Sequence, residues 1–107
     1  MWRNDRRRAS GNYGFRTGVE IVVVEDFRRF LERDGETMRS RLFFPTEVAG
    51  AHVESLAGMF AAKEAAFKAL ELPLGDWHVL EIGHEPSGRS QAALGPDYDS
   101  VMLSISI

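Results

Sequence analysis

A chain of 107 residues with 44% apolar content can bury one modest core and is too apolar to be disordered over most of its length. It contains no cysteine, which excludes a disulfide framework and thiolate metal sites and fits a reducing, cytoplasmic setting. No apolar run approaches the ~20 residues of a membrane span and no signal-peptide pattern opens the chain, so no membrane partner is expected. The net charge of −3 is unevenly divided: Arg3, Arg6, Arg7 and Arg8 against Asp5 leave +3 on residues 1–8 and −6 on the remainder. An acidic body repels phosphates, so no nucleic-acid partner is expected either. Residues 1–16 lack periodicity and hold several turn formers, which reads as a flexible basic N-terminal extension followed by one domain over 17–107.

Thr17-Gly-Val-Glu-Ile-Val-Val-Val24 is rich in β-branched residues and predicts a strand. Val19, Ile21 and Val23 share one face, Glu20, Val22 and Val24 the other, so cover on both sides is expected. Glu25 and Asp26 suit a helix start, and Phe27, Phe30 and Leu31 recur at helical spacing before Asp34-Gly35 ends the helix. Arg28, Arg29 and Arg33 then face water or a partner. Residues 36–44 read as a second helical piece closing on the apolar plug Leu42-Phe43-Phe44. Pro45-Thr46-Glu47 opens another short helix with Thr46 as its N-cap.

Ser55 to Glu71 predicts one long helix, capped by Ser55 and built of good helix formers. Leu56, Met59, Phe60, Phe67 and Leu70 form an apolar stripe, and six alanines cover much of the rest, which implies close neighbours nearly all round. Leu72 to Asp76 is a turn; Trp77–Glu85 and Ser90–Leu94 then alternate as strands of a hairpin around Pro86-Ser-Gly-Arg89. Val101, Leu103, Ile105 and Ile107 alternate with Ser100, Met102, Ser104 and Ser106 as a terminal strand whose edge needs a partner. His78 and His84 are roughly 20 Å apart along an extended strand and cannot share one metal. The expected fold is α+β, a mostly antiparallel sheet wrapped on one long buried helix, with short helices between strand 1 and that helix.

Three charges interrupt the long helix. Lys63 falls inside the apolar stripe, while Glu64 and Lys68 lie together on its flank, and Glu20 interrupts the first strand. An i,i+4 pair between Glu64 and Lys68, with Lys63 snorkelling to water, accounts for them without function. Alternatively, Glu20 and Glu64 share a divalent cation. Carboxylates without cysteine or usefully spaced histidine suit Mg²⁺ or Mn²⁺, with Lys63 and Lys68 balancing phosphate oxygens.

These residues resemble the holo-acyl-carrier-protein synthase type of 4'-phosphopantetheinyl transferase. Gly18-Val-Glu-Ile-Val22 is similar to that family's opening Gly-x-Asp-Ile-Val strand, and Phe60-Ala-Ala-Lys-Glu-Ala65 with Lys68-Ala69 to its long-helix signature. Arg41-Leu-Phe-Phe-Pro-Thr-Glu47 is similar to the link between them. The resemblance implies Mg²⁺-dependent transfer of the phosphopantetheine arm from coenzyme A to a serine of an acyl or peptidyl carrier protein, releasing adenosine 3',5'-bisphosphate. It implies Glu20 and Glu64 as metal ligands, Lys68 and Lys63 on the coenzyme A phosphates, and Glu64 and Lys68 as the catalytic residues. It also implies a homotrimer with active sites between subunits. The sequence departs from the family at several places: Glu20 stands for Asp, Val23 for an acidic residue, Asp26 for an arginine and Met59 for a basic residue. Glu71-Leu-Pro-Leu-Gly75 replaces a Gly-Thr-Gly loop, Ile107 falls on a histidine position, and the family's last strand is expected to be missing. These departures motivate an alternative, a lapsed transferase-like domain that binds coenzyme A, a carrier protein or a partner enzyme.

Overall fold

The computed structural model describes residues 16–98, 101 and 103–107 of the chain. All of the extension expected over residues 1–16 except Arg16, and the expected strand positions Ser100 and Met102, lie outside the described residues. Helix α1 runs Val24–Leu42, α2 Pro45–Val48 and α3 Val53–Leu70; strands β1 (Leu80–His84) and β2 (Ser90–Leu94) form an antiparallel hairpin in which Leu80 faces Leu94 and His84 faces Ser90. Short 3-10 turns at Trp77–Val79 and Pro96–Tyr98 flank the hairpin. The class is α+β as expected, and the hairpin strand begins at Leu80 rather than Trp77.

The stop expected at Asp34-Gly35 is present inside α1. Gly35 takes φ 60° and ψ −141°, a conformation that a side chain would resist, and divides the helix into two pieces. Pro45 stands at the start of α2, but Phe44 rather than Thr46 is its cap. The free amide there is satisfied by Glu47, whose Oε1 accepts from the Phe44 N–H at 2.7 Å, while Thr46 donates its hydroxyl to Glu81. Helix α3 starts two residues before the expected Ser55, with His52 at the cap position.

Core packing follows the α3 stripe. Leu56, Met59 and Phe67 are buried, as are Phe27 and Leu31 of α1 and Leu80 and Ile82 of β1. Stacked and tilted rings connect these elements: Phe27 to Phe60 at 5.4 Å, Phe60 to Trp77 at 5.2 Å and Trp77 to Phe67 at 4.9 Å.

Neither expected flanking strand joins a ladder among the described residues. Residues 17–23 keep a period-two alternation of exposure but lie against α3 instead of a neighbouring strand. Gly18 meets the α3 backbone so closely that a Cβ there would overlap the Ala65 carbonyl. Cover on both faces was expected, yet Val19, Ile21 and Val23 are exposed, at 74%, 83% and 58%. At the other end Leu103 and Ile105 pack against the core, whereas Ile107, expected inward, is exposed. It reaches α3 at Gly58, where a Cβ would collide with its side chain. The small residues of α3 thus receive two chain segments directly on the helix surface.

The end of α3 is tightly closed. The Glu71 N–H reaches the Lys68 and Phe67 carbonyls, the Leu72 N–H the Phe67 carbonyl at 2.9 Å, and Leu72 packs beside Phe67. This is a Schellman-type ending, which places Glu71 in the left-handed region at φ 57°, ψ 39°. Glycine takes that conformation freely; a side chain there costs about 1–2 kcal/mol.

Candidate active site

The two lysines of the helix signature have separate environments, as residues five apart on a helix must. Lys63 is wholly buried. Its Nζ donates to Glu47 Oε1 at 2.8 Å, to the Leu42 carbonyl at 2.9 Å and to the Trp77 carbonyl at 3.4 Å, with the Phe43 and Phe44 rings above it. Burial pushes its ammonium below the ordinary 10.5, with Glu47 opposing. All three of its protons are occupied within the core, so the expected contact of Lys63 with coenzyme A phosphate is corrected: it has neither access nor a free donor. Glu47 completes the arrangement by accepting the Ile82 N–H at 2.7 Å on Oε2, so one carboxylate joins the start of α2, the middle of α3 and β1.

Glu20, Glu64 and Lys68 come together on the other side of α3. Lys68 Nζ donates to the Val19 carbonyl at 3.0 Å and to Glu20 Oε1 at 3.1 Å, an ion pair with the lysine side chain 56% exposed. Glu64 is half-buried. Its carboxyl is raised above the ordinary 4.5, first by burial and then by the negative charge of Glu20, with Lys68 opposing. Two carboxylates from different elements therefore share one field, flanked by an exposed ammonium.

This donor set fits a hard divalent cation, because Mg²⁺ commonly takes only one or two carboxylates and completes its shell with water and phosphate oxygens. No group of three or more His, Cys, Asp or Glu side chains suited to a metal occurs among the described residues. The histidines stay apart: His78 Nε2 lies 3.2 Å from the Phe43 carbonyl and its ring meets Phe44 edge-on, while His84 is exposed at the hairpin end. Glu20, Glu64 and Lys68, expected to act together, lie in one region, whereas the pairing of Lys63 with Glu47 was not expected. The available signal was a lysine in the centre of an apolar stripe, which demands a carboxylate from elsewhere in the fold.

A family model described as the 4'-phosphopantetheinyl transferase superfamily matches residues 16–105. A holo-acyl-carrier-protein synthase of Acidithiobacillus ferrooxidans is 42% identical over 87 residues, 73% of this chain and 67% of that relative. One from Chlorobaculum parvum is 34% identical over 98 residues, 84% of each chain. Among solved structures, the Helicobacter pylori holo-acyl-carrier-protein synthase in complex with coenzyme A superposes with a TM-score of 0.71 at 26% identity, covering 76% of this chain and 75% of that one. The chain belongs to the 4'-phosphopantetheinyl transferase superfamily and is of its holo-acyl-carrier-protein synthase type.

Proposed function

We propose that this chain transfers the 4'-phosphopantetheine arm from coenzyme A to a serine hydroxyl of an acyl or peptidyl carrier protein, with Mg²⁺ held by Glu20 and Glu64. The observation that carries the reading is the contact of Glu20, from the opening segment, with Lys68 on α3, close enough to Glu64 for the two carboxylates to act on each other. When bound, the cation supplies charge neutralisation at the pyrophosphate being split. Lys68, exposed and held among the described residues by Glu20 and one carbonyl, can turn its ammonium to a phosphate oxygen and offset charge that grows as the bond breaks. Glu64, more basic than an ordinary carboxylate, accepts the serine proton directly or through water.

The exposed row Val19, Ile21 and Val23 beside Glu20 supports a contact with further copies of the chain, and with it a homotrimer. Arg28 and Arg29, which among the described residues pair locally with Glu25 and Asp26 on exposed α1, suit an acidic carrier protein. A chain without cysteine fits the cytoplasm.

The test is direct. Incubated with coenzyme A, Mg²⁺ and a panel of apo carrier proteins, the protein should shift one carrier's mass by a single phosphopantetheine arm, and chelation of the metal should abolish the shift. Glu64→Gln should slow the transfer about 10²–10⁴-fold. Transfer that persists unchanged in both Glu20→Gln and Glu64→Gln would overturn the assignment of these residues.

A further inference from the structure

Glu20 meets Lys68, within the field of Glu64, on a segment that no ladder holds among the described residues, so its position depends on whatever fastens residues 16–22 to α3. Among the described residues, Val22 packs against the core and further contacts fasten the segment. Gly18 lets the backbone sit on Ala65, Lys68 holds the Val19 carbonyl and Glu20, and Arg16 Nη1 donates to Glu71 Oε2 at 2.9 Å. The last of these joins the first described residue to the residue that closes α3.

Glu71 is locally the wrong choice for its place. It is the one non-glycine residue with positive φ among the described residues, at a position where glycine is usual. Its carboxylate also stands at the negative end of the α3 dipole, where a cation would be favoured. Two local preferences are overridden at one residue, and the partner that its carboxylate finds there is Arg16. Such conflicts between local preference and sequence concentrate where a structure serves its function.

We infer that the Arg16–Glu71 pair is a positioning latch, which fastens the opening segment over the C-terminal end of α3 and thereby sets Glu20 against Glu64 and Lys68. Its purpose rests on the transfer reading; its mechanical content does not. Neither residue touches a reacting group, and both act through Glu20, four residues along from Arg16. The side chains are 44% and 56% exposed, so the latch is screened by salt and its effect is a few-fold rather than absolute.

The test compares Glu71→Gln, Glu71→Gly and the charge-exchanged double variant Arg16→Glu/Glu71→Arg in the full chain. Amide hydrogen exchange over residues 17–22, Mn²⁺ affinity by electron paramagnetic resonance and Tm are measured at low and high salt. Both single variants should speed exchange and raise the Mn²⁺ Kd about 3–5-fold at low salt, with the difference shrinking at high salt. The exchanged pair should restore both. Glu71→Gly should at the same time keep or raise Tm, because glycine accepts the left-handed backbone. A looser site in a chain of equal or greater stability is an outcome that loss of an ordinary stabilising contact does not produce. Unchanged exchange in both single variants, or loosening that the exchanged pair fails to reverse, overturns the latch. If the wild type binds no Mn²⁺ and modifies no carrier, the transfer reading falls, and the exchange rates still decide the latch.

Discussion

Lys63 and Lys68 stand five residues apart on one helix, yet they anchor two regions of opposite character. Around Lys63 every partner is fixed: a buried carboxylate, two backbone carbonyls and two aromatic rings leave the ammonium nothing to offer a ligand. Around Lys68 the partners among the described residues are a partly exposed carboxylate and one carbonyl, on a segment that no described strand pairs with, and those can be exchanged for phosphate oxygens. The chemical group is the same in both. Solvent access decides whether it serves architecture or chemistry, because a charge taken out of water must be matched in the core permanently, while an exposed one is matched by whatever arrives.

The comparison breaks most visibly at the core. Lys63→Met leaves the Glu47 carboxylate buried without a counter-charge and should cost about 3–5 kcal/mol in a urea titration. A loss under about 1 kcal/mol would mean that water or another cation reaches Glu47, and that the two regions are not as different as their burial implies. Lys68→Met should do the reverse: carrier modification falls about 10²–10³-fold while unfolding stability changes by less than about 1 kcal/mol.

The smallest effect concerns Glu64 and has a definite sign. A carboxyl that holds its proton more tightly folded than unfolded destabilises the fold as pH rises above its ordinary value of 4.5. Glu64→Gln removes that penalty, so the variant should melt slightly higher than wild type at neutral pH, by about one or two degrees for a partly exposed group. The two melting temperatures should converge below about pH 4. A gap that widens on acidification would show that Glu64 is stabilised as the carboxylate, contrary to its surroundings.

The grouping of residues in the candidate site was partly legible in the sequence alone. The interruption of apolar patterns by Glu20, Glu64 and Lys68 marked it, and the helical spacing of Glu64 and Lys68 put them on one flank of α3. The same patterning misassigned Lys63, because its place in the stripe signals burial without naming the partner, and Glu47 is sixteen residues away on the helix before. The β-branched run over 17–24 was expected to pair as a strand. It lies on the helix instead, since Gly18 and the small residues of α3 allow backbone to approach where a side chain would hold it off.

The succession of helices and hairpin, the stop at Gly35 and the long helix were determined by the sequence alone, because periodicity and turn chemistry act over a few residues at a time. Which lysine would be sealed and which left open, and that Arg16 would meet Glu71 across fifty-five positions, only the tertiary structure decided. Burial and ion pairing depend on what the rest of the chain brings alongside, and no local pattern records it.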